Sequence, residues 1–387
     1  MIKQLVIENF KALRYANIEL PNLTVLTGIN GMGKSSLIQA LLLLRQSQLD
    51  RRLPKQLRLN HEKYVSLGQS QDIFNIHSNE DESIQIQLQT SNAGEISVKT
   101  KDRTRKTWLE VDEFMPADWQ KVETEPLFSD NKRFQYLQAE RVGPQSNYAT
   151  NEYEVVELHN IGNMGEYSAH FIARHKDKLV ELPSLINRSG NSNMLLAQLD
   201  TWLSKISKGV RLVSNLNESA NSARITYQFE DGDDLTPEFS PVNVGFGLTY
   251  VLPVLVAVLA SKPGDLVIIE NPESHLHPSG QSAIGQFLAL AAQDGLQIII
   301  ETHSDHFLHG VRIAVRENGK NAAQGIVYEN VAIYYFDRDP EKHNTNLHSI
   351  RIDNKGKLHQ ILPNGRKTAA LPKGFTDEWG INMAKLI

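Results

Sequence analysis

The 387-residue chain contains no cysteine, and aromatic residues make up only 7% of it. Without thiols, disulfides, thiol catalysis and thiolate metal sites are excluded. The formal net charge of −5 provides no overall positive field for nucleic acid. No apolar run reaches the roughly 18 residues of a membrane-spanning helix. The longest run, Leu248 to Ala260 with a break at Pro253, predicts a buried helix.

Chain length and the start of the sequence give further expectations. A chain of this size can bury a large core, as one large domain or two intimately joined ones. The first strand is expected at about Ile2, which leaves no room for a signal peptide. We therefore expect a cytoplasmic protein with no membrane partner.

A glycine-rich stretch at residues 28–35 fits the phosphate-binding pattern G-x-x-x-x-G-K-[ST]. An apolar run at 23–27 predicts a strand before it, and residues 37–44 predict a helix after it. This context suits backbone N–H groups that surround the β- and γ-phosphates of a nucleotide. Lys34, expected to be exposed, would contact those phosphates, and the Ser35 hydroxyl would bind Mg²⁺. The candidate ATP-binding residues of this loop are Asn30, Gly31, Gly33, Lys34, Ser35 and Ser36.

Two later apolar runs end in polar residues that suit nucleotide chemistry. The first, Leu266 to Ile269, is followed by Glu270, Asn271 and, after a proline, Glu273. The second, Ile298 to Ile300, is followed by Glu301-Thr302-His303-Ser304. From Pro241 onward, helix and strand patterns alternate, which predicts a parallel sheet with crossover helices. Ligands gather at the carboxyl ends of such strands.

The order of these motifs resembles that of the ABC-type ATPases of the SMC, RecF and OLD kind. The resemblance is greatest to bacterial RecF/OLD-like ATPases, often encoded in defence loci. Asn243-Val244-Gly245-Phe246-Gly247 stands where that family has its signature loop, before an apolar helix. Further matching segments are Leu5–Lys11, Tyr136–Pro144, Gly162–Glu166 and Pro372–Trp379.

The resemblance implies an α/β fold. The expected fold is a P-loop ABC-type nucleotide-binding domain, with a parallel sheet core plus antiparallel strands and an inserted lid region. We expect a single domain over 1–387. Its P-loop lobe would cover 1–135 and its lid about 136–240, and the lobe with the signature, Walker B strand and switch histidine would cover 241–387.

The resemblance also implies roles for individual residues. Glu270 would hold Mg²⁺, and His303 would reach the γ-phosphate. Asn243, Gly245 and Gly247 would contact the nucleotide of a second subunit, while Asn9 and Lys11 of the opening strand and turn would contact the chain's own nucleotide. Gln69, or alternatively Gln71, would be the glutamine that senses the metal.

The sequence departs from the family at the residue that positions the attacking water. The family usually has a glutamate there, but this chain has Asn271, which cannot accept a proton. Glu273 is the nearby substitute, with Asn271 left to orient the water. His275 and His277 could form a zinc pair, although structural polar contacts are the favoured alternative because no third ligand is evident.

The leading functional hypothesis is a Mg²⁺-dependent ATPase that forms a homodimer or higher oligomer through ATP. It would drive or gate a separate effector, a nuclease or toxin, in antiviral defence or DNA repair. The alternative is a nucleotide-gated scaffold that barely hydrolyses ATP and holds the effector inactive. A transport ATPase and a nuclease within this chain are disfavoured. Possible DNA contact would come from a basic run, which could equally be a solvated surface: Arg45, Arg51, Arg52, Lys55, Arg58 and Lys63.

Overall fold

The computed structural model describes residues 1–115, 118–129, 131–186, 192–321, 324–339 and 344–375. The chain divides into two compact units. The first unit comprises Met1–Asp130, Val331–Asp353 and Lys357–Ile387, and the second comprises Asn131–Asn330 and Asn354–Gly356. The end of the predicted C-terminal motif, Asp377 to Trp379, lies outside the described residues. The predicted division into three lobes stays a prediction.

The first unit begins with an antiparallel sheet in the order β2-β1-β5-β6-β8. Its strand β5 alternates strictly, with Ile84, Ile86 and Leu88 buried. The second strand begins at Leu13, which pairs with Phe10. The elements are β1 (Ile2–Phe10), β2 (Leu13–Glu19), β3 (Leu23–Gly28), α1 (Lys34–Leu49), β4 (Gln56–Arg58), β5 (Ile84–Thr90), β6 (Glu95–Thr100), β7 (Trp108–Glu110), β8 (Glu113–Met115) and α2 (Trp119–Val122).

The second unit has a parallel layer in which β14 lies between β9 and β15. A separate antiparallel sheet has the order β10-β12-β11, with β13 paired to β12. The elements are β9 (Phe134–Leu137), β10 (Tyr148–Ala149), α3 (Ser168–His175), α4 (Leu195–Ile206), β11 (Val210–Asn217), β12 (Ser222–Asp231), β13 (Asp234–Leu235), α5 (Phe246–Leu259), β14 (Leu266–Glu270), α6 (Pro278–Gln293), β15 (Gln297–Glu301) and α7 (Asp305–Asn318).

The helices of the second unit bury the parallel layer. Helix α5 is buried along residues 251–259 in spite of Pro253, which confirms the buried helix predicted from its apolar run. Helices α6 and α7 approach closely at two glycines. A Cβ at Gly310 would lie 2.1 Å from the Ser282 carbonyl oxygen, and one at Gly285 would lie 2.4 Å from that of Phe307. This close approach fixes α7, and with it the turn between β15 and α7.

The chain returns to the first unit through β16 (Val331–Arg338), β17 (Thr345–Ile352), β18 (Leu358–Ile361) and β19 (Lys367–Thr368). Strand β16 pairs in parallel with β3 and antiparallel with β17. Strand β3, which leads into the glycine-rich loop, is buried from Leu23 to Thr27. Parallel and antiparallel pairing therefore coexist, as the predicted fold class requires. None of the described helices combines the length and apolar character needed to cross a membrane.

Candidate functional site

The glycine-rich loop joins β3 to α1 in the first unit. Gly28, Gly31 and Gly33 have φ values of 129°, 76° and 97°, which residues other than glycine rarely adopt. Gly33 immediately precedes α1, and within the described part of the chain no side chain caps that helix. The first N–H groups of a helix need outside acceptors and favour anions. The loop therefore fits a phosphate group.

Lys34 lies under this loop and not on its surface. Its exposed fraction is 2%, and its Nζ donates to the carbonyl oxygens of Gly28 at 2.8 Å and Ile29 at 2.7 Å. The prediction of an exposed lysine is therefore wrong, because the loop wraps around the side chain. These carbonyls hold the ammonium group inside the loop, where a phosphate would take it as a partner.

The other candidates in the first unit lie at two places. Lys11 lines a cavity of about 350 Å³ together with Gly31 and Asp72, and its Nζ donates to Gln39 Oε1 at 2.7 Å. Asn9 does not line this cavity; its amide donates to the Ser83 carbonyl at 2.8 Å, which joins the end of β1 to the residue that precedes β5. Gln69 is exposed and caps the short helix at 70–73, so its metal-sensing role stays a prediction.

In the second unit, the carboxyl ends of β9, β14 and β15 meet at one edge. Glu270 is the last residue of β14, and burial raises the pKa of its carboxyl group. Its Oε1 accepts from the Tyr136 hydroxyl at 2.9 Å, and its Oε2 accepts from the Ala139 N–H at 3.2 Å. Strand β9 thus holds the proposed metal ligand. Sequence reasoning assigned no role to Tyr136, although its place in an apolar strand end was a usable signal.

Glu273 reaches the same edge from the loop after β14. Its Oε1 accepts from the Thr302 hydroxyl at 2.6 Å and from the His303 N–H at 3.3 Å. Its Oε2 is buried and has no hydrogen-bond partner among the described residues. Burial raises the pKa of Glu273. The structure therefore brings together two residues predicted from separate motifs, with Thr302 as an additional contact.

Asn271 adopts a left-handed backbone conformation with φ of 46°. Asparagine tolerates this region better than most residues do. Its N–H donates to the Glu301 carbonyl at 2.7 Å, which joins the ends of β14 and β15. Its side-chain Oδ1 is buried without a partner in the described part of the chain. Asn271 thus leaves a buried amide oxygen at the end of β14.

Arg141 binds the backbone at the carboxyl end of β14. Its guanidinium donates to the carbonyl oxygens of Glu270 at 2.8 Å, Gln138 at 3.2 Å and Asn271. Burial lowers the pKa of Arg141 to about 10, which leaves it charged at neutral pH. The contacts of Arg141 are thus to the backbone of the turn.

The predicted signature loop packs against the same turn. Gly245 caps the amino end of α5 through its backbone, and a Cβ there would meet nothing within 4 Å. A Cβ at Gly247 would lie 2.7 Å from the His275 carbonyl oxygen. Gly247 is therefore required by packing, whatever its role toward a nucleotide. Asn243 is exposed, beside Val242 and Phe246 with exposed fractions of 52% and 59%.

The remaining candidate groups have structural contacts. His277 caps α6 by accepting from the Ser279 N–H, and His275 packs against Tyr250 with ring centroids 4.5 Å apart and an interplanar angle of 55°. Arg45, the first residue of the basic run, is fully buried and donates to the carbonyls of Pro126 and Leu127. It cannot contact DNA, because the loop at 126–129 encloses its guanidinium.

Comparisons with known families match two adjacent parts of the chain. The family described as "AAA ATPase domain" matches residues 1–154. The family described as "AAA domain, putative AbiEii toxin, Type IV TA system" matches residues 164–309. The Old nuclease of Escherichia phage P2 is 28% identical over 90 residues, which cover 22% of this chain and 15% of that nuclease.

Among solved structures, the SMC head domain from Thermotoga maritima aligns with a TM-score of 0.46 and 12% identity, over 91% of this chain and 99% of that one. An SMC head bound to the C-terminal winged-helix domain of ScpA aligns with a TM-score of 0.49 and 11% identity, over 91% and 98%. A Pyrococcus furiosus complex of an Smc head with the C-terminal domain of ScpA gives a TM-score of 0.48 and 11% identity, over 90% and 96%.

The family matches and the curated relative confirm the resemblance that the motifs indicated. The chain thus resembles the ABC-type ATPases of the SMC, RecF and OLD kind. Its fold, with a P-loop after β3 and a mixed sheet, is that of a P-loop ATPase.

Proposed function

We propose that this chain binds ATP with Mg²⁺ and hydrolyses it. The observation that carries the proposal is Glu273: a buried carboxylate with one oxygen held by Thr302 and His303 and the other without a partner among the described residues. A carboxylate with raised pKa and one available oxygen suits a general base.

The oxygen-rich donor set fits Mg²⁺, which prefers carboxylate and hydroxyl ligands. Ser35 and Glu270 are the residues that would hold the metal, and its charge would stabilise the phosphates during transfer. Glu270 would then exchange its bonds to Tyr136 and Ala139 for the metal or a metal-bound water. In the chain's own chemistry, Glu273 would take the proton of the attacking water, Asn271 would orient that water, and His303 would reach the γ-phosphate.

Steady-state phosphate release tests this proposal. Purified protein should turn over ATP only with Mg²⁺, and Lys34→Ala should abolish both binding and turnover. Lys55→Ala is the matched control, since Lys55 is an exposed lysine of the same unit. Full turnover by a folded Lys34→Ala protein, or turnover unaffected by removal of Mg²⁺, would contradict the proposal.

We further propose that ATP closes two copies head to tail, with Asn243, Gly245 and Gly247 facing the partner's nucleotide. Supporting this, the exposed side chains of Val242 and Phe246 flank Gly245, and apolar groups favour burial at an interface. The amino end of α5 also has no side-chain cap in the described part of the chain. Gel filtration with light scattering, with and without a non-hydrolysable ATP analogue, would detect the closed dimer.

The cycle would drive or gate a separate effector, a nuclease or toxin, in antiviral defence or DNA repair in the cytoplasm. The matched family of putative AbiEii toxins and the similarity to a phage nuclease support this direction. The alternative, a nucleotide-gated scaffold with little hydrolysis, is favoured by Asn271 in place of a glutamate. Turnover measured with and without DNA separates the two: binding without turnover under both conditions would favour the scaffold.

A further inference from the structure

A second cavity, of about 520 Å³, lies in the second unit. Phe134 and Gln135, which begin β9, line it, and so does Asp265, which immediately precedes β14. Strands β9 and β14 run parallel, with Phe134 opposite Leu266, so their amino ends share one edge. Glu270 and Arg141 belong to the opposite, carboxyl edge. This cavity is therefore separate from the candidate ATPase site.

Positive charge dominates the lining of this cavity. It contains four cationic side chains and a single carboxylate, Asp265, so positive charges outnumber negative ones by three. The four cations are Lys132, Arg133, Lys178 and Lys262. The chain as a whole is acidic, with a net charge of −5, which makes this local excess distinctive. A concave surface of one sign attracts counter-charged ligands more strongly than a flat one does.

The described ion pairs engage two of these cations. Arg133 Nε lies 3.4 Å from Asp265 Oδ1, and Lys262 Nζ lies 2.8 Å from Oε1 of Glu181, a residue outside the cavity lining. Lys178 is half-buried, and burial together with the charge of Lys262 lowers its pKa. Bringing an anion to this group would relieve both effects. Holding these cations together in the cavity therefore costs free energy, and an anionic ligand would offset that cost.

His159 lies in the same positive electrostatic potential. Its Nδ1 is buried without a hydrogen-bond partner in the part of the chain that the structure describes. Burial, together with the positive charges of Lys178, His175, Lys132 and Lys262, lowers the pKa of His159 to about 4. His175 stacks on its ring with centroids 5.2 Å apart. An anion in the cavity would oppose these charges and raise the pKa of His159.

We propose that this cavity binds a small polyphosphorylated ligand, of the class of nucleotides and inorganic polyphosphates. A volume of about 520 Å³ matches pockets for small molecules, which span roughly 300–1,000 Å³. Lysine ammonium groups bind phosphate as point charges. With Glu181 counted beside Asp265, the four cations exceed the carboxylates by two. Several phosphate charges would balance this excess, whereas one carboxylate would balance half of it. The site does not require the chain to hydrolyse ATP.

Isothermal calorimetry with inorganic triphosphate, in the absence of Mg²⁺, tests the proposal in the Lys34→Ala protein, which removes the P-loop lysine. We expect one equivalent to bind. Lys178→Gln combined with Lys262→Gln should weaken that binding at least about tenfold, because each removes a charged hydrogen bond. Lys176→Gln is the matched control: Lys176 is exposed, lies two residues from Lys178 and does not line the cavity. Circular dichroism checks that each variant is folded.

A second measurement needs no change in the cavity. Histidine NMR of the Lys34→Ala protein should show the His159 titration move from about pH 4 to higher pH when triphosphate is added. The proposal is overturned if the Lys34→Ala protein binds no triphosphate, or if the double glutamine variant binds it unchanged. Binding of a single-stranded oligonucleotide through these lysines without any binding of triphosphate would likewise overturn it.

Discussion

Replacing Glu273 by glutamine isolates the chemistry of this carboxylate from its packing. The glutamine Oε1 can keep the bonds from the Thr302 hydroxyl and the His303 N–H. Its amide nitrogen takes the place of Oε2, which is buried without a partner among the described residues. The variant loses the cost of a buried charge and gains unpaired N–H donors, so the free energy of unfolding should change by no more than about 1–2 kcal/mol.

The effect on turnover should be much larger. A general base contributes about 10²–10⁴ in rate, which corresponds to about 3–5 kcal/mol in the barrier. Phosphate release should fall by this factor, while ATP affinity measured by calorimetry stays unchanged, because Lys34 and Glu270 remain. The closed dimer should accumulate with ATP. Turnover within about threefold of wild type would remove Glu273 from the mechanism and redirect attention to Asn271 and His303.

Burial raises the pKa of Glu273, so kcat should fall as pH drops through that raised value, and Glu273→Gln should lack this limb in its residual rate. Glu273 keeps its proton to higher pH in the folded protein than in the unfolded chain. The free energy of unfolding should therefore decline as pH rises from the ordinary glutamate pKa through the raised pKa of Glu273. Urea titrations at several pH values should show this decline in wild type and not in Glu273→Gln. Asn271→Ala should lose about 1 kcal/mol of stability from its φ of 46°, while Asn271→Gly should keep it, and equal melting temperatures would contradict this. Gly245→Asp should fold normally yet fail to dimerise with an ATP analogue, whereas Gly247→Ala should lower the melting temperature, because only the latter meets the His275 carbonyl. A Gly245→Asp protein that still dimerises with the analogue would refute the signature assignment.

Motif order allowed the family and the core of the fold to be predicted from the sequence. The apolar runs before Gly28, Glu270 and Thr302 became buried strands, since short apolar segments between turn signals have few alternatives in a parallel layer. The apolar run at 248–260 became a buried helix for a similar reason. Residue identity alone, however, predicted wrongly that Lys34 is exposed, because lysine side chains are usually solvated.

The contacts that organise the site came only from the tertiary structure. Tyr136 and Glu270 are far apart in sequence, and their bond exists because β9 and β14 pair in parallel register. Arg45 was included in a basic surface run, but a loop 80 residues later supplies the carbonyls that bury it. Sequence spacing cannot encode such partners, because they depend on which strands and loops become neighbours.

The sequence by itself determined the class of this protein: a glycine-rich loop after a strand, strand-end carboxylates and a strand-end histidine in a defined order. These signals are local, and each depends on residues that are neighbours in the chain. The tertiary structure decided which carboxylate oxygen of Glu273 is hydrogen-bonded and which has no described partner. It also decided that Gly247 tolerates no side chain and that cations from separate segments surround one cavity. Those outcomes depend on burial and on close approach between distant segments, and both arise only when the chain is folded.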